Sequence, residues 1–138
     1  MRGGSSRMRK IETGQSMAEF AIAVLVFLII LFGVIDLGRA VFEYNDLANS
    51  AREGARMAIE QQYTDDQVKA WTAQQSAGLL TDDDVTVSGS RTCNAVPCPS
   101  VTVTVQHTFT PVTPLIGTLI GGSGSITMTA SSTMVVER

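Results

Sequence analysis

The chain has 138 residues, a formal net charge of −3, 44% hydrophobic residues and two cysteines. That length holds one domain, and the acidic balance excludes nucleic acid as a partner, since little here would offset phosphate repulsion. The charge is polarised: residues 1–14 carry Arg2, Arg7, Arg9 and Lys10 against Glu12, net +3, while six basic and twelve acidic residues leave the remainder at −6.

Beyond the basic leader, residues 20–35 hold no charged or strongly polar side chain. Such a run rises about 24 Å as a helix, short of the ~30 Å hydrocarbon core of a bilayer. Adding residues 17–19 and 36–37 closes the gap, so a membrane helix is predicted over 15–37, with Glu19 near its inner boundary and Asp36 near its outer one. Basic residues beside an apolar span stay cytoplasmic, which sends residues 38–138 outward. A cleaved signal peptide is the rival reading. The run is longer than an ordinary signal-peptide centre, however, and no Ala-x-Ala follows it.

The helical pattern continues to about residue 62. Leu37, Val41, Tyr44, Ala48, Ala51, Ala55 and Ala58 recur at spacings of three and four, one stripe of a helix. The other faces carry the opposite-charge i,i+4 pairs Arg39–Glu43 and Arg56–Glu60. The stripe narrows to Ala48, Ala51, Ala55 and Ala58, with Gly54 beside it, and small residues let another element approach closely. That element is either this chain's own domain or a neighbouring subunit.

Thr64-Asp-Asp-Gln67 reads as a capping box opening a second helix over 65–77, ended by Gly78, with Val68 and Trp71 toward the core. Thereafter the period becomes two. Strands are predicted near 84–89, 101–109 and 126–136, forming one antiparallel sheet with a Val-rich face turned to a helix. Between the last two, Leu115, Ile116, Leu119 and Ile120 form an apolar loop. The fold class is therefore α+β: a long N-terminal membrane helix running into the exported domain, a second short helix and a small sheet of about three strands.

The segment Gly14-Gln15-Ser16-Met17-Ala18-Glu19-Phe20, between the basic leader and the apolar run, resembles a type IV prepilin cleavage site in the form found in tight-adherence (Tad) pilus proteins. Asp36 to Arg39, Ala51 to Arg56, Thr113 to Ile116 and the last strand also look similar to the TadE-like family. The resemblance implies that a prepilin peptidase cuts between Gly14 and Gln15. It further implies that Glu19, followed by Phe20, pairs with the N-terminal amine of an adjacent subunit and sets register. A carboxylate near hydrocarbon costs up to ~2.5–3.5 kcal/mol at mid-bilayer, so such a residue needs a reason to be there. The implied function is a pilin-like minor component of the Tad pilus assembly and secretion system, involved in adherence. Its implied partners are the membrane, the prepilin peptidase, other pilin-like subunits and the Tad machinery. Its expected location is the bacterial cytoplasmic membrane, N-terminus inside and C-terminal domain in the periplasm or at the cell surface. The alternative is an uncleaved, membrane-anchored surface binding module.

Other chemistry-bearing residues point to nothing catalytic. Cys93 and Cys98 lie in one loop, and in an exported domain a disulfide between them is the natural reading. It closes a small loop and contributes about 2 kcal/mol. Two thiols without a nearby His leave a zinc ligand set incomplete. His107, the single histidine, falls on the Val face of a strand and has no triad partners in view. Asp82-Asp83-Asp84 lacks EF-hand spacing, and Gly121-Gly122-Ser123-Gly124 lacks the Lys and following helix of a phosphate loop. No enzyme activity, cofactor, metal or small-molecule substrate is expected.

Overall fold

The structure is a computed structural model that describes residues 5–94, 96–113 and 124–136, with side chains from residue 14 onward. The apolar loop at 115–120 and most of the glycine-rich lead into the last strand lie outside the described residues. The order of elements is helix α1 (Ser5–Ala58), helix α2 (Asp65–Gln75), a 3₁₀ turn (Asp82–Asp84), then strands β1 (Val85–Gly89), β2 (Ser100–Phe109) and β3 (Ile126–Val135). This is the α+β class expected, with a long apolar N-terminal helix, a second short helix and three strands.

Helix α1 runs for 54 residues without a break. Its N-terminal half is bare: Phe20, Ile22, Leu25, Phe27, Ile30 and Val34 are all exposed. It is the one helix among the described residues long and apolar enough to cross a membrane, with a window of mean hydropathy 3.0. Its C-terminal half is the spine of the domain. Leu47, Ala51, Ala55 and Ala58 are fully buried and join Val68, Val85, Val101, Val103 and Val105 in a single core.

The expected stripe divides at this point. Ala51, Ala55 and Ala58 face the sheet, but Leu37, Val41 and Tyr44 turn outward. The buried face passes instead through Leu47, Glu43 and Asp36. An alternating three-and-four spacing drifts slowly around a helix of 3.6 residues per turn, so one run of positions leaves the core face over several turns.

Helix α1 stops about four residues earlier than predicted. The Ile59 amide still donates to the Ala55 carbonyl at 3.2 Å, but the Glu60 amide donates to Met57, three residues back. Arg91, arriving from the loop after β1, takes the freed acceptors. Its Nε donates to the Ala58 carbonyl at 2.9 Å and its guanidinium to the Glu60 carbonyl at 3.1 Å and to Asp65 at 2.7 Å. No glycine or proline marks this end; a side chain 33 residues away does. With Glu60 past the helix end and accepting from Gln62 at 2.8 Å, the predicted i,i+4 geometry with Arg56 is lost.

Helix α2 opens on the capping box. The Gln67 amide donates to Thr64 Oγ1 at 3.3 Å and the Thr64 amide to Gln67 Oε1 at 2.9 Å. It ends at Gln75, two residues early, because Ser76 caps it: its hydroxyl donates to the Ala73 carbonyl at 2.7 Å and accepts from the Leu80 amide at 3.0 Å. Gly78 follows at φ +86°, the left-handed turn for which glycine is suited. Val68 is buried as expected, but Trp71 is 43% exposed and Thr72 takes the core position.

The sheet has the order β1-β2-β3, both pairs antiparallel, in registers that place Val85 opposite Val105 and Val101 opposite Met134. One face of β2 presents Val101, Val103, Val105 and Phe109 to the core. The other is a threonine surface, where Thr102 and Thr133 hydroxyls meet at 2.8 Å. Asp84 belongs to the 3₁₀ turn and not to β1: its carboxylate accepts from the Thr81 amide at 2.8 Å and hydroxyl at 2.7 Å. Those two donors hold the Asp84 carboxyl below the usual aspartate range.

Candidate functional site: the anchor helix and its junction with the domain

The motif residues all lie on helix α1: Gly14, Gln15 and Glu19 fall within the two turns before the apolar run, and Phe20 opens it. All four are exposed. Gln15 Nε2 donates to Glu19 Oε1 at 3.2 Å, an i,i+4 contact within the helix. A side chain added at Gly14 would meet nothing within 4 Å. The motif therefore sits apart from the domain, at the foot of a helix whose own fold leaves it uncovered.

The small-residue face behaves differently. Ala51, Ala55 and Ala58 are fully buried and Ala48 packs partly against the same core. A Cβ at Gly54 would run into the Thr72 hydroxyl of α2. Close approach here is made by the chain's own α2 and sheet. Cys93 and Cys98 are joined in a disulfide, with their Cα atoms 4.9 Å apart.

Between these regions lies an arrangement that periodicity alone did not reveal. Asp36, the first charged residue after the apolar run, is only 3% exposed. One oxygen accepts from the Val112 amide at 2.9 Å and the other from the Thr113 amide at 2.9 Å. Arg39, one turn on, lies 3.7 Å from Asp36 and 3.3 Å from Glu43, and its guanidinium stands 5.4 Å over the Phe109 ring. Glu43 in turn lies 3.6 Å from Nε2 of His107. A line of four polar groups thus stitches helix α1 to the end of β2 at the level where the apolar run ends.

The seam has the chemistry of a fastening. Each carboxylate faces a cation, a histidine or backbone donors, and buried charges persist when partnered in this way. The signal in the sequence was the spacing of Asp36, Arg39, Glu43 and Leu47 at three and four, continuous with Gly54 through Ser50. His107 does lie on the Val face, but its neighbour is this seam.

One long helix, bare and apolar at its start and the spine of a small α+β domain at its end, defines a class of protein that fits a single N-terminal membrane anchor. Within that class the chain carries a TadE-like segment: the family model described as TadE-like protein matches residues 14–56. The match runs from the glycine of the motif through the apolar helix to Arg56 and bears out the resemblance read from those residues. It points to a component associated with the Tad pilus. No curated protein and no solved structure matches the chain.

Proposed function

We propose that the protein is a membrane-anchored, pilin-like subunit of the Tad pilus assembly and secretion system, acting by association and not by catalysis. In this reading a prepilin peptidase cleaves between Gly14 and Gln15. The apolar helix then holds the subunit in the cytoplasmic membrane with its N-terminal end inside and the domain outside. Glu19, followed by Phe20, pairs with the new N-terminal amine of a neighbouring subunit, which compensates both charges in a medium where an isolated one is costly. Other pilin-like subunits, the Tad machinery and the peptidase are its partners, and adherence is the process it serves.

The observation that carries this reading is the coincidence of three features on one helix: the Gly14-to-Phe20 motif, the bare apolar run above it and the family match that starts at Gly14. The Cys93–Cys98 disulfide supports placing the domain in an oxidising compartment.

Intact mass of the protein from membranes of cells with and without a prepilin peptidase tests it. The expected result is a species beginning at Gln15 only when the peptidase is present, with Glu19→Ala inserting normally but losing co-purification with partner subunits. A leader retained in both cells, with Glu19→Ala indifferent, overturns the proposal in favour of an uncleaved binding module.

A further inference from the structure

Between Phe20 and Tyr44 the sequence holds three charged residues, Asp36, Arg39 and Glu43. All three lie in the seam on the domain side of helix α1, paired with one another or with the domain. The remaining surface of the same two turns carries Leu37, Val41 and Tyr44, with Phe42 at the edge of a groove that Arg39, Glu43, Ala77 and Leu79 also line. These large side chains are uncovered: Leu37 is 65% exposed, Val41 54%, Phe42 66% and Tyr44 50%. Polar residues take over this outward side at Asn45, Asn49 and Arg52. The helix therefore changes from apolar to polar at two heights, at Asp36 facing the domain and after Tyr44 facing away.

The two heights resolve the length of the span. Phe20 to Ile35 rises about 24 Å, less than the ~30 Å of hydrocarbon. Phe20 to Tyr44 along the outward side rises about 37 Å, which crosses the hydrocarbon and enters the headgroup region of a bilayer ~40–45 Å thick. Phe42 and Tyr44 then fall at the level where aromatic side chains are enriched at membrane surfaces. Val112, held to Asp36 by its amide, is also exposed on the domain at this level.

We infer that the lipid surface is the partner of this outward face: Leu37, Val41, Phe42 and Tyr44 are immersed in the interfacial zone of the leaflet on the domain side. The domain rests against that surface and does not stand clear on a stalk. The inference rests on the membrane-anchor reading and adds where the membrane ends. What favours lipid as the occupant is continuity. The face extends the apolar span, and the charged residues of these turns are paired in the seam, Asp36 and Glu43 buried and Arg39 43% exposed at its edge.

Trp71 is the single tryptophan of the chain and lies beyond the polar switch, beside Glu53 and Arg56, so fluorescence can measure depth. In vesicles of phosphatidylcholine and phosphatidylglycerol brominated either near the headgroup or near the chain end, three full-length proteins are compared. They are the native chain, and Ile29→Trp and Tyr44→Trp each on a Trp71→Phe background. The expected result is that the Ile29→Trp protein loses most of its emission to deep bromine. The Tyr44→Trp protein should emit further to the blue than the native chain and be quenched most by shallow bromine. The native chain, reporting from Trp71, should respond only to aqueous acrylamide. Val41→Trp and Phe42→Trp serve in place of Tyr44→Trp if that variant fails to fold. An indole at position 44 that behaves like Trp71 overturns the inference. So does one shielded from acrylamide yet untouched by bromine, which would place protein on this face. If the Ile29→Trp protein is itself unquenched, the anchor reading fails and takes this inference with it.

Discussion

Both oxygens of Asp36 are occupied by backbone amides from a segment more than seventy residues later, those of Val112 and Thr113, each at 2.9 Å. The contact joins the top of the apolar run to the end of β2, where Pro111, Val112 and Thr113 lie beyond the last ladder pair, Phe109 with Ile126. A backbone amide buried without an acceptor costs about 1–3 kcal/mol, so the Asp36 carboxyl replaces the hydrogen bonds that the strand end lacks. Asp36→Ala is expected to destabilise the domain by ~1–3 kcal/mol in denaturant unfolding of detergent-solubilised protein. Amide exchange at Val112 and Thr113 should accelerate well beyond that at Val103. Unchanged exchange at those two amides would show that the contact does not hold the strand end.

The long apolar helix, the capping box, Gly78 and the alternation of β2 and β3 were legible because each is a local pattern: a run of apolar residues, a Thr–Gln pair, a period of two. What was not legible depends on partners distant in sequence. Asp36 reads as a charge at a membrane boundary until Val112 is placed beside it. The end of α1 is set by Arg91, and no residue near Ala58 announces it. Trp71 and Thr72 are adjacent, and hydrophobicity puts the wrong one inside. Thr72 lies one turn from Val68 on the buried face of α2 and packs against Gly54, where a Cβ would collide with it. The segment Gly14 to Phe20 is exposed and stands apart from the domain, so its reading rests on the sequence alone.

The contact of Gly54 with Thr72 leads to a second expectation. Thr72 is fully buried, donates its hydroxyl to the Val68 carbonyl at 2.7 Å, and occupies the space a Cβ at position 54 would need. Overpacking of this kind costs about 1–3 kcal/mol. Gly54→Ala should therefore lower stability despite the better helix propensity of Ala, while Thr72→Ala should recover much of that loss in the double variant. A double-mutant cycle measures the coupling directly; strict additivity would show that helices α1 and α2 are not in the close contact described.

Arg91 gives a third. Its planar group addresses two carbonyls and a carboxylate on separate segments, a geometry that the point charge of a lysine does not reproduce. Arg91→Lys is expected to lose about 1–2 kcal/mol, since hydrogen bonds to charged groups are worth roughly 1.5–3 kcal/mol each and only part of the set survives. Hydrogen exchange should then rise first at the C-terminal turn of α1. If Arg91→Lys matches the native protein in both readouts, the helix end is set by something other than this side chain.

The last concerns acid. The Thr81 amide and hydroxyl hold the Asp84 carboxyl below its ordinary value. A group whose folded pKa is depressed contributes stability that is complete above its unfolded pKa, about 3.9 for aspartate, and is lost as pH falls through the folded value. Asp84 is partly exposed, so solvent screens the effect and only a modest acid-side loss is expected from it. The native protein should hold the Asp84 contribution unchanged from neutral pH down to about 5, then lose it below about 4. Thr81→Ala removes the hydroxyl donor but keeps the amide, so its stability difference from native should shrink as the medium is acidified through that range. Unfolding midpoints for the two proteins across the same pH series decide the matter. A difference that stays constant from neutral to acid would mean that the Thr81 hydroxyl supports the turn without favouring the ionised form of Asp84.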